Sequence, residues 1–264
     1  MKALKELGQN FLIDGSVASA IAAAGEIVPG EIVWEIGPGK GILSEAILRY
    51  APTLTAFELD RRLELPLKEK FGQRLNLVRA DVIRYDWSEL IIAPDYRVKL
   101  IANIPYQITS PLLSKLEANR EHFSRIVLMV QSEVADRLTA SKGTKAYGLM
   151  TLRLQLYFNI SILMRVPREL FDPVPGVDSA VIVMTPRQDS PVLRDPELFF
   201  QLIHHAFQHR RKTLRNNLLQ ILTKPQLVAL EKQDKFDLTR RGETFSEAEF
   251  IRLCDLIASL RHVS

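Results

Sequence analysis

Five apolar runs of strand length recur along the first half of the chain: IVWEIG (32–37), LTAFELD (54–60), LNLVRAD (75–81), VKLIAN (98–103) and SRIVLMVQ (124–131). Segments with helical character lie between them: GILSEAILRY (41–50), RRLELPLKEKF (61–71) and PLLSKLEANR (111–120). Runs that stay apolar, alternating with helices, predict a parallel sheet covered on both faces. Helical SEVADRLTA (132–140) and YGLMTLRLQLYF (147–158) follow, then two more strand candidates, SILMRVP (161–167) and SAVIVMTP (179–186). These last two are joined without a long helix, so they are expected to pair antiparallel and to complete seven strands. RQDSPVLRDPE (187–197) is polar, contains prolines and reads as a linker. Beyond it, apolar residues at 199, 203, 207, 214, 218 and 221 predict a long amphipathic helix, with more helix to the end. The expectation is an α/β domain over 1–186, Rossmann-like in its alternation, and a small all-helical domain over 187–264.

Composition narrows the setting. The 264 residues are 47% hydrophobic and 25% charged, a globular balance, and no apolar stretch is long enough to span a bilayer. The opening MKALKELGQNFL has neither an uninterrupted apolar region nor a small-residue cleavage site. A single cysteine, Cys254, excludes an internal disulfide and fits a reducing compartment, so a cytoplasmic protein is expected, with a monomer as the default. The net charge is only +4, but Leu198–Leu230 holds Arg210, Arg211, Lys212, Arg215 and Lys224 with no acid, a local +5 that leaves the remainder at −1. A local basic face is the footprint of a phosphate-bearing partner, although a solvated helix surface has the same composition.

Ligands of open α/β sheets sit at the carboxyl ends of the strands, and four strand ends here carry unusual residues. The first ends in EIGPGKG (35–41), where Gly37, Gly39 and Gly41 allow close approach of backbone to a ligand. A dinucleotide fingerprint would place its third glycine at 42, which is Ile42, and Glu35 suits a cationic ligand better than a pyrophosphate. The second ends in FELD, placing Glu58 where a Rossmann-type fold holds ribose hydroxyls; Asp60 reads instead as a helix N-cap. The third ends in Asp81, followed by Val82, positioned for an adenine. The fourth ends in Asn103-Ile104-Pro105-Tyr106, an odd finish for a core strand. Together they point to an adenosine nucleoside bearing a positive group, S-adenosylmethionine.

With these motifs the chain resembles the ribosomal RNA adenine N6,N6-dimethyltransferases of the KsgA (RsmA) type, a branch of the seven-stranded class I methyltransferases. The resemblance runs through LGQNFL (7–12), EIGPGKG, FELD, AD (80–81), NIPY, QSEVADRL (131–138), KAYG (145–148), VPRELFDPVPGVDSAV (166–181) and HRRKTLRNNL (209–218). Gln107 and Ser132 stand where the family often has Asn and Lys. The resemblance implies that Asn10 and Leu12 contribute to the cofactor pocket, that Gly37 passes beneath its methionine portion, and that Gly39 and Val82 are further cofactor contacts. It further implies that Glu58 holds the ribose, Asp81 the adenine, and that Asn103 stands where cofactor and target base meet. It implies as partner the immature small ribosomal subunit, with two adjacent adenosines of a hairpin near the 3′ end of its RNA each dimethylated.

An adenine amine is a poor nucleophile, and acceptors aimed at its hydrogens stabilise the charge it develops. Asn103 and the Ile104 carbonyl are the candidate acceptors, Pro105 holds the backbone without an opposing N–H, and Tyr106 offers a stacking face. Phe171 either closes the other face or is a core phenylalanine. Arg210, Arg211, Lys212 and Arg215 would hold RNA phosphates. His205 and His209 have the i, i+4 spacing of a metal pair but no local acidic or cysteine ligand, so no metal is expected. Trp34, Trp87 and Cys254 read as packing, and Lys40 as solvent-facing. Three other readings remain: a large-subunit resistance methyltransferase, an assembly factor with incidental catalysis, and a nicotinamide oxidoreductase.

Overall fold

The computed structural model describes residues 3–91, 93, 95–233 and 236–262. The chain forms two compact units, one from its start to Ala135 with Tyr157–Arg187, the other from Asp136–Leu156 and Gln188 onward. The boundary expected at 186/187 has its counterpart at Arg187/Gln188. The second unit, however, also takes Asp136–Leu156, because the helix over Leu149–Gln155 packs on the one over Pro196–Gln208.

All seven expected strands form one sheet. They are β2 (Ile32–Ile36), β3 (Leu54–Phe57), β4 (Leu75–Val78), β5 (Val98–Asn103), β6 (Phe123–Gln131), β7 (Phe158–Val166) and β9 (Ser179–Pro186), in the order β4-β3-β2-β5-β6-β9-β7. The first five are parallel, and β9 runs antiparallel to both β6 and β7. Central β5 is buried along Val98–Ala102, whereas edge strand β7 alternates inside and outside, as a half-solvated edge does. Chain order reverses between β2 and β5, so a crevice opens at their carboxyl ends, where Gly37 and Asn103 lie.

Two features were not visible in the pattern. Helix α1 (Gly15–Ala24) is alanine-rich and lacks a polar stripe; Asp14 caps it by accepting from the Ser16 and Val17 amides at 2.8 and 3.0 Å. Strands β1 (Phe11–Leu12) and β8 (Phe171–Asp172) are two residues each and pair antiparallel, Phe11 with Asp172 and Leu12 with Phe171.

Helices α2 (Ile42–Ile47), α3 (Arg61–Phe71) and α4 (Thr109–Ala118) occupy the expected segments, α3 starting at its Asp60 cap. Trp34 and Trp87 are fully buried and meet edge to face at 5.8 Å, which makes them packing residues.

In the second unit, α5 (Ser132–Leu138), which begins in the first, leads into α6 (Leu149–Gln155). The single long helix expected after the linker is instead two, α7 (Pro196–Gln208) and α8 (Leu214–Leu218). Buried Asn217 explains the break: its Nδ2 donates to the Ala206 carbonyl at 2.9 Å and to the His209 carbonyl at 3.3 Å, closing α7. Thr213 then caps α8. Helices α9 (Lys224–Gln233) and α10 (Glu247–His262) complete the unit. Cys254 is buried. Among the described residues no helix is long and apolar enough to cross a membrane.

Glu35, in the middle of the sheet, is wholly buried. Ser44 Oγ donates to its Oε2 at 2.6 Å, and its Oε1 has no partner. Burial pushes the carboxyl up to about 8, with nearby Glu58 adding repulsion. The folded protein thus holds this proton up to about pH 8, while an unfolded chain releases it near the ordinary 4.5. The stability linked to it is complete below 4.5 and is lost as pH rises towards 8. Glu35→Gln, which cannot ionise, is expected to match the wild type at pH 4. It should exceed it by on the order of several kcal/mol at pH 9. A difference in unfolding free energy that stays constant across that range would contradict this.

Candidate active site

Every residue expected at the cofactor and the target base lines one cleft in the first unit: Asn10, Leu12, Gly37, Gly39, Glu58, Asp81, Val82, Asn103, Ile104, Pro105, Tyr106 and Phe171. The parallel strands put them there, because β2, β3, β4 and β5 all release their chains on the same edge.

The glycine turn forms the floor. Gly37, Gly39 and Gly41 have φ of +69°, +57° and +79°, which side chains rarely adopt. Two also lie against rings: a Cβ on Gly39 would fall 2.9 Å from Phe11 Cδ1, and one on Gly41 2.7 Å from Phe71 Cε2. At Gly37 a Cβ would point into the space before Pro105 and the Asn103 carbonyl, 3.7 and 3.8 Å away. The turn is therefore a cradle of bare backbone.

Glu58 is 7% exposed and stands at the cleft wall. It accepts from the Asp60 amide at 2.8 Å and the Gly39 amide at 3.2 Å, so it holds the glycine turn as well as facing the cleft. Burial raises its pKa, partly offset by those amides. Asp60 does three things: it caps α3, pairs with Arg62 and accepts from Gln9 Nε2 at 2.9 Å. The Arg62 guanidinium holds its carboxyl down to about 2. Asp81 accepts from the Ile83 amide at 2.9 Å, which turns the chain after β4. Lys115 donates to the Val82, Ile83 and Tyr85 carbonyls and keeps that turn closed.

The Asn103–Tyr106 turn lines the same cleft beside the glycine turn. Asn103 Nδ2 reaches the Asn10 carbonyl at 3.5 Å, which leaves Oδ1 as its open acceptor. Pro105 is extended, and its carbonyl accepts from the Ile108 amide at 3.1 Å. Tyr106 is half-buried, and its hydroxyl lies 2.7 Å from Ser179 Oγ. Phe171 is only 2% exposed: it is a core residue with a surface on the cleft, so the two readings of it overlap.

Sequence reasoning missed how the N-terminal segment is secured. The Gln9–Asp60 bond, the Asn103–Asn10 bond and the β1–β8 ladder pin LGQNFL beside the cleft. Lys40 is exposed, as expected, and also reaches Asp172 at 3.3 Å and lies 4.8 Å from the Phe11 ring centre. The LGQNFL motif was the available signal, but not its partners.

The basic stretch changes most on folding. Arg210 pairs with Glu243 at 2.9 Å and donates to the Lys145 and Tyr147 carbonyls. Arg215 pairs with Glu231. Two of the four expected phosphate ligands are thus partnered within their own unit, while Arg211 and Lys212 are both exposed on the turn between α7 and α8. His205 Nδ1 faces Gln208 at 3.3 Å, and no group of three His, Cys, Asp or Glu among the described residues is placed to hold a metal.

Comparison with known proteins agrees over nearly the full length. The family model described as ribosomal RNA adenine dimethylase matches residues 1–259. A "Ribosomal RNA small subunit methyltransferase A" of Prosthecochloris aestuarii is 43% identical over 258 residues, 97% of this chain and 95% of that one. Its namesake in Lactococcus lactis is 39% identical over 267 residues, 97% and 90% of the two chains. Among solved structures, a dimethyladenosine transferase from Plasmodium falciparum superposes with a TM-score of 0.79 at 26% identity, covering 96% of this chain and 98% of that one. The 23S rRNA methyltransferase ErmE gives 0.72 at 24% identity over 94% and 100%, a likeness of fold.

Proposed function

We infer the reaction from one premise: the chain belongs to the ribosomal RNA adenine dimethylase family, and its cleft juxtaposes a nucleoside cradle with an amine-binding turn. The protein is an S-adenosylmethionine-dependent methyltransferase that dimethylates N6 of adenosine in small-subunit ribosomal RNA. The observation that carries this reading is that Asn103–Tyr106 and Gly37–Gly39 line one cleft, side by side.

The cleft fits the cofactor on its own chemistry. Bare backbone at Gly37 leaves room for an amino-acid chain, Glu58 supplies a buried carboxylate for ribose hydroxyls, and Asp81 with Val82 forms an adenine edge. Asn10 and Leu12 complete the wall. When bound, S-adenosylmethionine supplies an electrophilic methyl group and a neutral leaving group. Asn103 Oδ1 and the Ile104 carbonyl accept the two hydrogens of the target amine, which holds its lone pair out of conjugation and stabilises the charge it acquires. Tyr106 presents a ring to the base, stacking worth roughly 1–3 kcal/mol, and Phe171 adds an apolar surface to the cleft. Alignment lowers the barrier, and no strong base is required because the charged amine is acidic enough to lose its proton to water.

The relatives' shared name supports small-subunit ribosomal RNA as the substrate. We assign the RNA of an incompletely assembled small subunit as partner, two adjacent adenosines near its 3′ end as targets, a monomer as the working form and the cytoplasm as its location. Methyl transfer from labelled S-adenosylmethionine to unmodified small subunits, with large-subunit RNA alongside, tests this. Dimethyladenosine in the small subunit alone is expected; label in large-subunit RNA would move the protein to the resistance branch, and label in neither would leave an assembly factor.

The α7–α8 turn contributes RNA affinity through Arg211 and Lys212, since Arg210 and Arg215 are already paired. Reversing Arg211 and Lys212 to Glu is expected to weaken RNA binding about tenfold or more near 0.1 M salt and to flatten its salt dependence. S-adenosylmethionine affinity should stay the same. Unchanged RNA affinity across a salt titration would remove the turn from the interface.

A further inference from the structure

Tyr106 is a tyrosine where a stacking platform needs only a π-face. Its hydroxyl has a partner, Ser179 Oγ at 2.7 Å, and that serine is wholly buried. Ser179 opens β9 and pairs with Gln131 of β6 on one side and Val166 of β7 on the other. Its carbonyl accepts from Ser132 Oγ at 3.0 Å, and the amide of Ser132 donates to the preceding Asp178 carbonyl at 3.0 Å. Tyr106 belongs to the turn after β5, two strands away in the sheet, so its side chain reaches past the end of β6 to an anchor in the antiparallel half. The ring is thereby tied at both ends, by the Asn103–Tyr106 backbone and by the hydroxyl.

Resting on the reading of Tyr106 as the platform for the target base, we propose that Ser179 is a positioning residue for adenosine methylation: its hydroxyl sets the Tyr106 ring before the base arrives. A ring free to turn about its side-chain bonds must be ordered as the base binds, and that cost falls on the transition state when the amine has to meet a narrow approach. A ring already fixed avoids it. The serine of the VDSAV run, which has no place in cofactor binding, thus acquires a role.

Four variants test this on unmodified small subunits: Ser179→Ala, Tyr106→Phe, the double variant and Ser179→Thr, the last keeping the hydroxyl. Each of the first two is expected to lower kcat about tenfold, with little change in S-adenosylmethionine affinity by calorimetry. The double variant should be no slower than either alone, because both remove one bond, and Ser179→Thr should recover most of the rate. A wild-type kcat in Ser179→Ala, or a double variant whose loss is the product of the two single losses, would overturn the proposal. Should Ser179→Ala fail to fold, Tyr106→Phe decides alone, and a wild-type kcat there is equally fatal. A wild-type protein that makes no methyladenosine would remove the functional reading and this proposal with it. A fully active Ser179→Ala beside an inactive Asn103→Ala would remove this proposal only.

Discussion

Asn103→Ala is expected to slow methyl transfer to adenosine by roughly 10²–10³-fold while S-adenosylmethionine binds within a few-fold of wild type. The magnitude is that of deleting one preorganised partner of a developing charge. Asn103 ends β5, whose preceding residues Val98–Ala102 are fully buried, so its backbone is fixed by the sheet. Its amide nitrogen is tethered to the Asn10 carbonyl, which turns the amide oxygen into the free acceptor. Alanine removes that acceptor and leaves the backbone in place, so substrate still enters but its amine is no longer held out of conjugation. Single-turnover transfer from labelled cofactor, paired with calorimetry, separates the two effects. If affinity falls as much as rate, Asn103 belongs to the cofactor site and the amine-binding role passes to the Ile104 carbonyl alone.

Glu58→Ala should act in the opposite way, weakening S-adenosylmethionine binding by about two orders of magnitude. Hydrogen bonds to a charged acceptor are worth about 1.5–3 kcal/mol each, and a carboxylate has lone pairs for two ribose hydroxyls beyond those committed to the Gly39 and Asp60 amides. Its removal also leaves the buried Gly39 amide without its partner, loosening the turn beneath the ligand. The same bond carries a pH signature. Burial raises the Glu58 pKa, and hydroxyl donors favour the ionised form. Affinity should therefore be full above that raised value and fall as pH drops through it, at a higher pH than an ordinary glutamate would show. Glu58→Ala should lack this fall. A wild-type affinity that is flat through mildly acidic pH, or an Ala variant that binds normally, would contradict the assignment.

Much of this protein was legible one residue at a time. The apolar runs located seven strands because each must bury a face whatever its neighbours, and the antiparallel pair followed from its short connection. The glycine turn, Glu58, Asp81 and Asn103–Tyr106 were recognisable because chemistry at strand ends is local: a strand that exits the sheet delivers the next residues to a fixed edge. Gly39 and Gly41 combine positive φ with ring contacts, but only the first half of that reason was local.

What the tertiary structure decided are the pairings between distant segments. Charge counting along 198–230 found no acid, yet Glu243 and Glu231 arrive from later elements and occupy Arg210 and Arg215. Periodicity continued α7 through residue 221, and Asn217 stops it by bonding backwards to Ala206 and His209. The β1–β8 ladder joins residues some 160 positions apart through two-residue strands too short to have a period, and Tyr106 meets Ser179 across 73 residues. The sequence by itself determined which residues stand at the strand ends around the cleft, since residue type and strand-end position are local properties. Only the fold decided which of them are held, freed or neutralised, because hydrogen bonds and ion pairs form between groups that are neighbours in space.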